Sequence, residues 1–152
     1  MTFRGLHEHS LDSKDRITVP ARYRASLADG IVLMQGIEPC VEIWPARAAE
    51  EMEHRTLAAL NPMSRDARRI QRRFFAHSES SELDSAGRVR LSRQLIGHAG
   101  LEGRCIVSGM GTRLEIWSPD AWLAEDEENE ERTPELTESL AATEPMPGPG
   151  SA

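Results

Sequence analysis

Residues 11–16 read LDSKDR, and 72 positions later residues 83–88 read LDSAGR. In both, an Asp and an Arg stand four residues apart, after a Leu and ahead of a run in which apolar and polar residues alternate. The Asp falls where a strand ends and can accept hydrogen bonds from turn N–H groups. Gly87 suits a turn position with positive φ. Asp15 stands at the same place in the first copy and tolerates that conformation better than most residues. The Arg returns as the next strand begins, so Asp12–Arg16 and Asp84–Arg88 would each clasp a loop by a bidentate contact. Asp12, Asp84 and Gly87 are therefore expected to shape these loops. Such a clasp can be architecture alone.

The two copies continue to match outward from the motif. ITVPARYRASLADG follows the first, and VRLSRQLIGHAGLEG follows the second. Each predicts a short strand, a helix of one or two turns and a glycine stop. Pro20 suits a first helical turn, Tyr23 and Leu27 share a face, and Gly30 ends the segment. Ser92 can cap the second helix, whose apolar side is Leu95, Ile96 and Ala99, with Gly100 closing it. Two apolar strands follow, IVLMQG and CIVSGM, then VEIW at 41–44 and LEIW at 114–117, then a helical segment in each half. Each half thus reads strand, helix, strand, strand, helix. Neither holds enough apolar residues to stand alone, so the pair predicts one α+β unit with a pseudo-twofold relation between βαββα repeats. The boundaries are 1–60 and 78–124 for the repeats and 61–77 for a linker, with 125–152 as an acidic, largely disordered tail.

In the linker, Asn61 and Pro62 signal a helix start. Met63, Ala67, Ile70 and Phe74 fall on one face; Arg65, Arg68, Arg69 and Arg72 fall opposite, with Arg73 near the edge. This arginine face reads as solvated or as a subunit interface.

The net charge is -7, which by itself argues against a polyanionic partner. Ten of the 25 acidic residues, but one of the 18 basic ones, lie from Ser118 onward; the body is left with 17 basic against 15 acidic groups. Local patches then matter more than the total. Arg4, Lys14, Arg16, Arg22 and Arg24 lie in or near the first loop and helix, and Arg88, Arg90 and Arg93 in the second. Pseudo-twofold packing would bring these onto one surface, where Arg can neutralise phosphate or bond guanine. Lys14 has no basic counterpart at Ala86, so the first loop is the better nucleic-acid contact and the second the better scaffold.

Other classes fare worse. No apolar run approaches the ~20 residues a bilayer needs. MTFRGLHEHS does not read as a secretory signal, so the cytoplasm is the default compartment. Cys40 and Cys105 read as buried thiols in a reducing compartment. No GxSxG, phosphate loop or HExxH is present. His7 and His9 share a strand face but lack neighbouring ligands, and Trp44, Trp117 and Trp122 read as core anchors. No enzyme, metal site or cofactor is expected.

FRG at 3–5, LDSKDR with VPARYR, NPMSRDARRIQRRFFAHSES, LDSAGRVRLS, HAGL and the paired EIW segments together resemble the MraZ family, the double-repeat branch of the AbrB/SpoVT-like regulators. The resemblance covers about residues 1–123. It implies a swapped-hairpin, β-barrel-like core with peripheral helices. It also implies a nucleoid-associated transcriptional regulator, forming ring-shaped homo-oligomers on short direct repeats of double-stranded DNA upstream of its own division and cell-wall gene cluster, usually as a repressor. Its DNA-contacting Arg falls on Arg16, with Lys14 as the basic loop position and Arg88 as the second-copy counterpart. Asp15 departs from the family's usual Gly, and the acidic tail lies outside the shared core. The rival class is an antitoxin-like interaction module, which would bind a protein tightly and no DNA.

Overall fold

A computed structural model of the chain describes residues 2–143. It is an α+β structure with eight strands and five α-helices among those residues. The first half holds β1 (Leu6–Ser10), β2 (Arg16–Thr18), α1 (Ala21–Arg24), β3 (Ile31–Gln35), β4 (Cys40–Pro45) and α2 (Ala46–Met52). The linker helix is α3 (Arg65–Ala76). The second half holds β5 (Glu79–Ser81), β6 (Arg88–Arg90), α4 (Arg93–Ala99), β7 (Arg104–Gly109), β8 (Leu114–Trp117) and α5 (Pro119–Ala141).

Each half therefore opens with one more strand than the βαββα pattern expected. The sequences of these strands, LHEHS and ESS, carry almost no apolar residues. They sit at the two ends of a six-stranded antiparallel sheet ordered β1-β7-β8-β4-β3-β5. Backbone pairing holds them there, and an edge strand needs no strong apolar alternation. The pairing also interleaves the copies. First-half β1 pairs with second-half β7, and second-half β5 pairs with first-half β3. A separate two-stranded ribbon joins β2 to β6.

One core lies beneath both sheets. Ile17, Val19, Val89 and Leu91 from the ribbon region meet Leu33, Val41, Ile43, Val107, Leu114 and Ile116 of the large sheet. Tyr23, Leu27 and Leu95 close it from the helical segments. The EIW words show how a strand's period of two divides its duties. Ile43 and Ile116 face this core. Glu42 and Trp44 lie on the reverse face of β4, where Trp44 packs with Met34 and Ala49 under α2.

The local signals act as expected at most ends. Ser92 Oγ accepts the Leu95 N–H at 3.3 Å, and Gly100 closes α4 in the left-handed region. In the linker the start differs. Asn61 caps only a turn, accepting the Met63 N–H at 3.0 Å, and Ser64 Oγ caps α3 by accepting the Ala67 N–H. Ser64 is the better cap because it directly precedes the first run free of proline.

By internal contacts the chain divides into Met1–Pro119 and Asp120–Ala152. The tail, expected to be largely disordered from 125, is helical as far as Ala141. Its glutamate-rich run consists of good helix formers, and Asp120 in the first turn complements the helix dipole. The rest of that expectation falls on 144–152, outside the described residues. Among the described residues, no helix is long and apolar enough to cross a membrane.

Candidate nucleic-acid interface

The two LDSxxR loops are built alike, bond for bond. In the first, Asp12 Oδ1 accepts the Lys14 N–H at 2.8 Å and the Arg16 N–H at 3.0 Å, and Oδ2 accepts Arg16 Nε at 2.7 Å. In the second, Asp84 Oδ1 accepts the Ala86 and Arg88 N–H groups, each at 2.9 Å, and Oδ2 accepts Arg88 Nε at 2.9 Å. Main-chain bonds from Asp15 N–H to Asp12 O and from Gly87 N–H to Asp84 O complete the turns. Asp15 takes φ 59° and Gly87 φ 74°, the left-handed position required in both.

The clasp is not the bidentate contact expected. One carboxylate oxygen is already taken by backbone N–H groups, so only Nε of each Arg pairs with the other oxygen. The loop is closed, and the terminal guanidinium nitrogens of Arg16 and Arg88 stay available for outside acceptors. The Arg16 N–H, the Lys14 N–H and the Arg16 guanidinium lower the Asp12 carboxyl to about 2. Asp84 is lowered in the same way, chiefly by the Arg88 N–H.

The loops also lock to each other. Val19 N–H donates to Gly87 O at 2.8 Å, and Leu91 N–H donates to Asp15 O at 2.9 Å. Between these bonds the ribbon sets Arg16 opposite Arg90, Ile17 opposite Val89 and Thr18 opposite Arg88. Ile17 and Val89 are buried. By strand alternation Arg16, Thr18, Arg88 and Arg90 occupy the other face. The result is a narrow antiparallel ribbon whose outer face carries three arginines, two of them held at Nε by their own loops. Major grooves admit a two-stranded ribbon of this kind.

Arg90, which the sequence groups with the second basic cluster without singling it out, shares the ribbon's outer face with Arg16. The signal was the alternation Arg88-Val89-Arg90, which repeats the outward position of Arg16. The other candidates spread further. Lys14 is exposed at the loop tip. Arg22 is exposed on α1, its guanidinium 5.0 Å from the Tyr23 ring centre. Arg24 is half-buried: Nε donates to Val19 O at 3.1 Å, and the side chain lies where a Cβ on Gly87 would be. Arg24 thus braces the paired loops. Arg4 follows Phe3, which bridges to Gly111, so it lies at the opposite end of β1 from the first loop.

Arg65, Arg68, Arg69 and Arg72 are all exposed on α3, and no residue of that helix is buried. Arg68 Nη1 donates to Pro62 O, and Arg69 is 3.7 Å from Asp66. Arg73 instead turns to the body, where Nη2 donates to Gly36 O at 2.9 Å. Ile70 on α3 is 46% exposed and Met63, ahead of the helix, 84%, whereas Ala67 and Phe74 of the same apolar face are half-buried.

Both cysteines are free thiols and buried. His7 and His9 share a half-buried face, with Tyr23 Oη 3.4 Å from His7 Nε2. Among the described residues the grouping closest to a metal-ligand set is Cys40, Glu42 and Glu115. Arg113 reaches the same carboxylates, 3.3 Å from Glu42 and 3.8 Å from Glu115, so this cluster already holds a cation.

A family model for MraZ proteins, whose description likens them to antitoxins, matches residues 2–73 and again 74–141. A "Transcriptional regulator MraZ" from Lactobacillus johnsonii is 36% identical over 138 residues, spanning 91% of this chain and 96% of the relative. A protein of the same description from Alkaliphilus metalliredigens is 41% identical over 120 residues, spanning 79% and 83%.

Proposed function

The chain belongs to the MraZ family, and from that premise we propose that it is a sequence-specific DNA-binding transcriptional regulator that contacts double-stranded DNA through the β2–β6 ribbon. The supporting observation is the outer face of that ribbon, with Arg16 opposite Arg90 and Arg88 opposite Thr18. Arg16 and Lys14 in the first loop are the leading contacts, and Arg88 and Arg90 extend the face. Arg22 flanks it, and Arg24 supports it from behind.

The finer reading follows the family. The regulator represses its own division and cell-wall gene cluster from short direct repeats upstream, acting in the cytoplasm at the nucleoid. It does so as a ring-shaped homo-oligomer, with the arginine face of α3 as a subunit contact. One ribbon binds weakly; several ribbons on one ring meeting several repeats gain affinity through effective concentration. The core is read as a pseudo-twofold, swapped-hairpin barrel. Two matched registers support this, with Ile17 opposite Val89 in the ribbon and Glu42 opposite Glu115 in the sheet.

The test is binding of the purified protein to its own upstream DNA, intact and with the repeats scrambled, beside Arg16→Ala checked for fold and size. Loss of binding with either change is expected, together with a fall in affinity as salt rises. Equal binding by Arg16→Ala removes the ribbon as reader. The description of the family as antitoxin-like favours a second reading, a protein-neutralising module. A tight stoichiometric protein complex without DNA affinity would establish that reading instead.

A further inference from the structure

We infer that Asp15 is a specificity-determining residue of the ribbon, a carboxylate that penalises DNA in general and is compensated only where a base offers it an amino group. This rests on the DNA-binding reading above and deepens it. Three observations carry it. Asp15 is the one non-glycine residue at positive φ among the described residues, while its counterpart in the second loop is Gly87. The left-handed backbone at this place favours glycine, and although Asp tolerates it better than most residues, its side chain still carries a modest conformational cost that glycine would not. Its carboxylate has no structural employment either: among the described residues no ion pair or side-chain hydrogen bond engages it, whereas Asp12 and Asp84 are fully used. Its backbone is fixed beside the ribbon's arginines, since it precedes Arg16 and its carbonyl accepts the N–H of Leu91, the residue after Arg90.

An unpaired carboxylate beside arginines that approach a polyanion is repelled by phosphate in every register along the duplex. In the major groove it can also accept from the exocyclic amino group of cytosine, which neither glycine nor arginine can do. The repulsion applies to all DNA and the compensation to matching sites, so affinity is traded for discrimination.

The experiment compares the full chain with Asp15→Asn and Asp15→Gly. Asn keeps the size and tolerates the left-handed position but loses the charge; Gly loses the side chain. The probes are a short mixed-sequence duplex and the duplex that the wild-type chain enriches from a randomised library. Asp15→Asn and Asp15→Gly are expected to bind the mixed duplex about three- to tenfold more tightly at low salt. The enriched duplex should gain less, so that the ratio of the two affinities falls. Unchanged binding, or an equal gain on both duplexes, overturns the inference while leaving the DNA reading intact. A wild-type chain that enriches no sequence and binds neither duplex overturns both.

Discussion

Glu42 and Glu115 lie directly opposite each other on the central strands β4 and β8, and a single guanidinium, Arg113, serves both. Each carboxylate also accepts the indole N–H of the Trp two residues on, at 2.9 Å for Trp44 and 3.2 Å for Trp117. The guanidinium is 5.0 Å from the Trp44 ring centre. Two like charges are therefore buried together at the join between the halves, with one positive charge to hold them. Burial pushes the Glu115 carboxyl above its ordinary value. Arg113→Met should lower stability by about 2–4 kcal/mol, because it leaves two buried carboxylates unpaired. Adding Glu42→Gln and Glu115→Gln should restore much of the loss. Urea midpoints of the three proteins measure both effects, and an unchanged midpoint in Arg113→Met refutes the role.

The loop aspartates set an acid limit. Asp12 is depressed from 3.8 to about 2, and Asp84 is depressed likewise. A depressed acid contributes its full stabilisation above its unfolded value and loses it as pH falls through the folded one. Thermal melts should therefore show stability falling from just below pH 4 towards about pH 2. Asp12→Asn should flatten part of that fall. Glu115 works in the opposite sense: its raised carboxyl costs stability as pH rises through the range above its ordinary value.

Gly87→Ala should be destabilised by about 1–2 kcal/mol from its left-handed backbone alone. It should lose more because the new methyl group meets the Arg24 side chain. Arg24→Ala combined with Gly87→Ala should cost less than the two single changes summed, since the displaced group is gone. Additive costs in a double-mutant cycle would remove Arg24 as the brace.

Arg68→Glu with Arg72→Glu should reduce the particle mass seen by light scattering if α3 is the subunit face. Both residues are exposed there beside Phe75, which is 45% exposed. Arg16→Ala should leave the mass unchanged. Full-sized particles from the α3 variant would exclude that face.

Cys40 and Cys105 should resist alkylation until the chain unfolds. Burial raises both thiols above their ordinary value, and the neighbouring carboxylates of Glu115 and Glu42 raise Cys40 further. Labelling of the native protein at the rate of a free thiol would contradict the buried placement.

What the residues alone determined is the chemistry that closes over a few positions. The Asp-to-Arg spacing, the positive φ at Asp15 and Gly87 and the Ser92 cap all follow from bonds or turns within four residues. The duplication was equally plain, and with it the α+β class and the family. Tertiary structure decided the relations between distant segments. It joined Arg16 to Arg90 across 74 positions of chain and put Arg4 at the far end of β1. It also exchanged the edge strands β1 and β5 between halves. Those strands were illegible because backbone pairing, not side-chain pattern, secures them. The Glu42–Glu115–Arg113 cluster was illegible for a related reason. Strand register is set by which face must be buried, and that becomes definite only when both halves share one core.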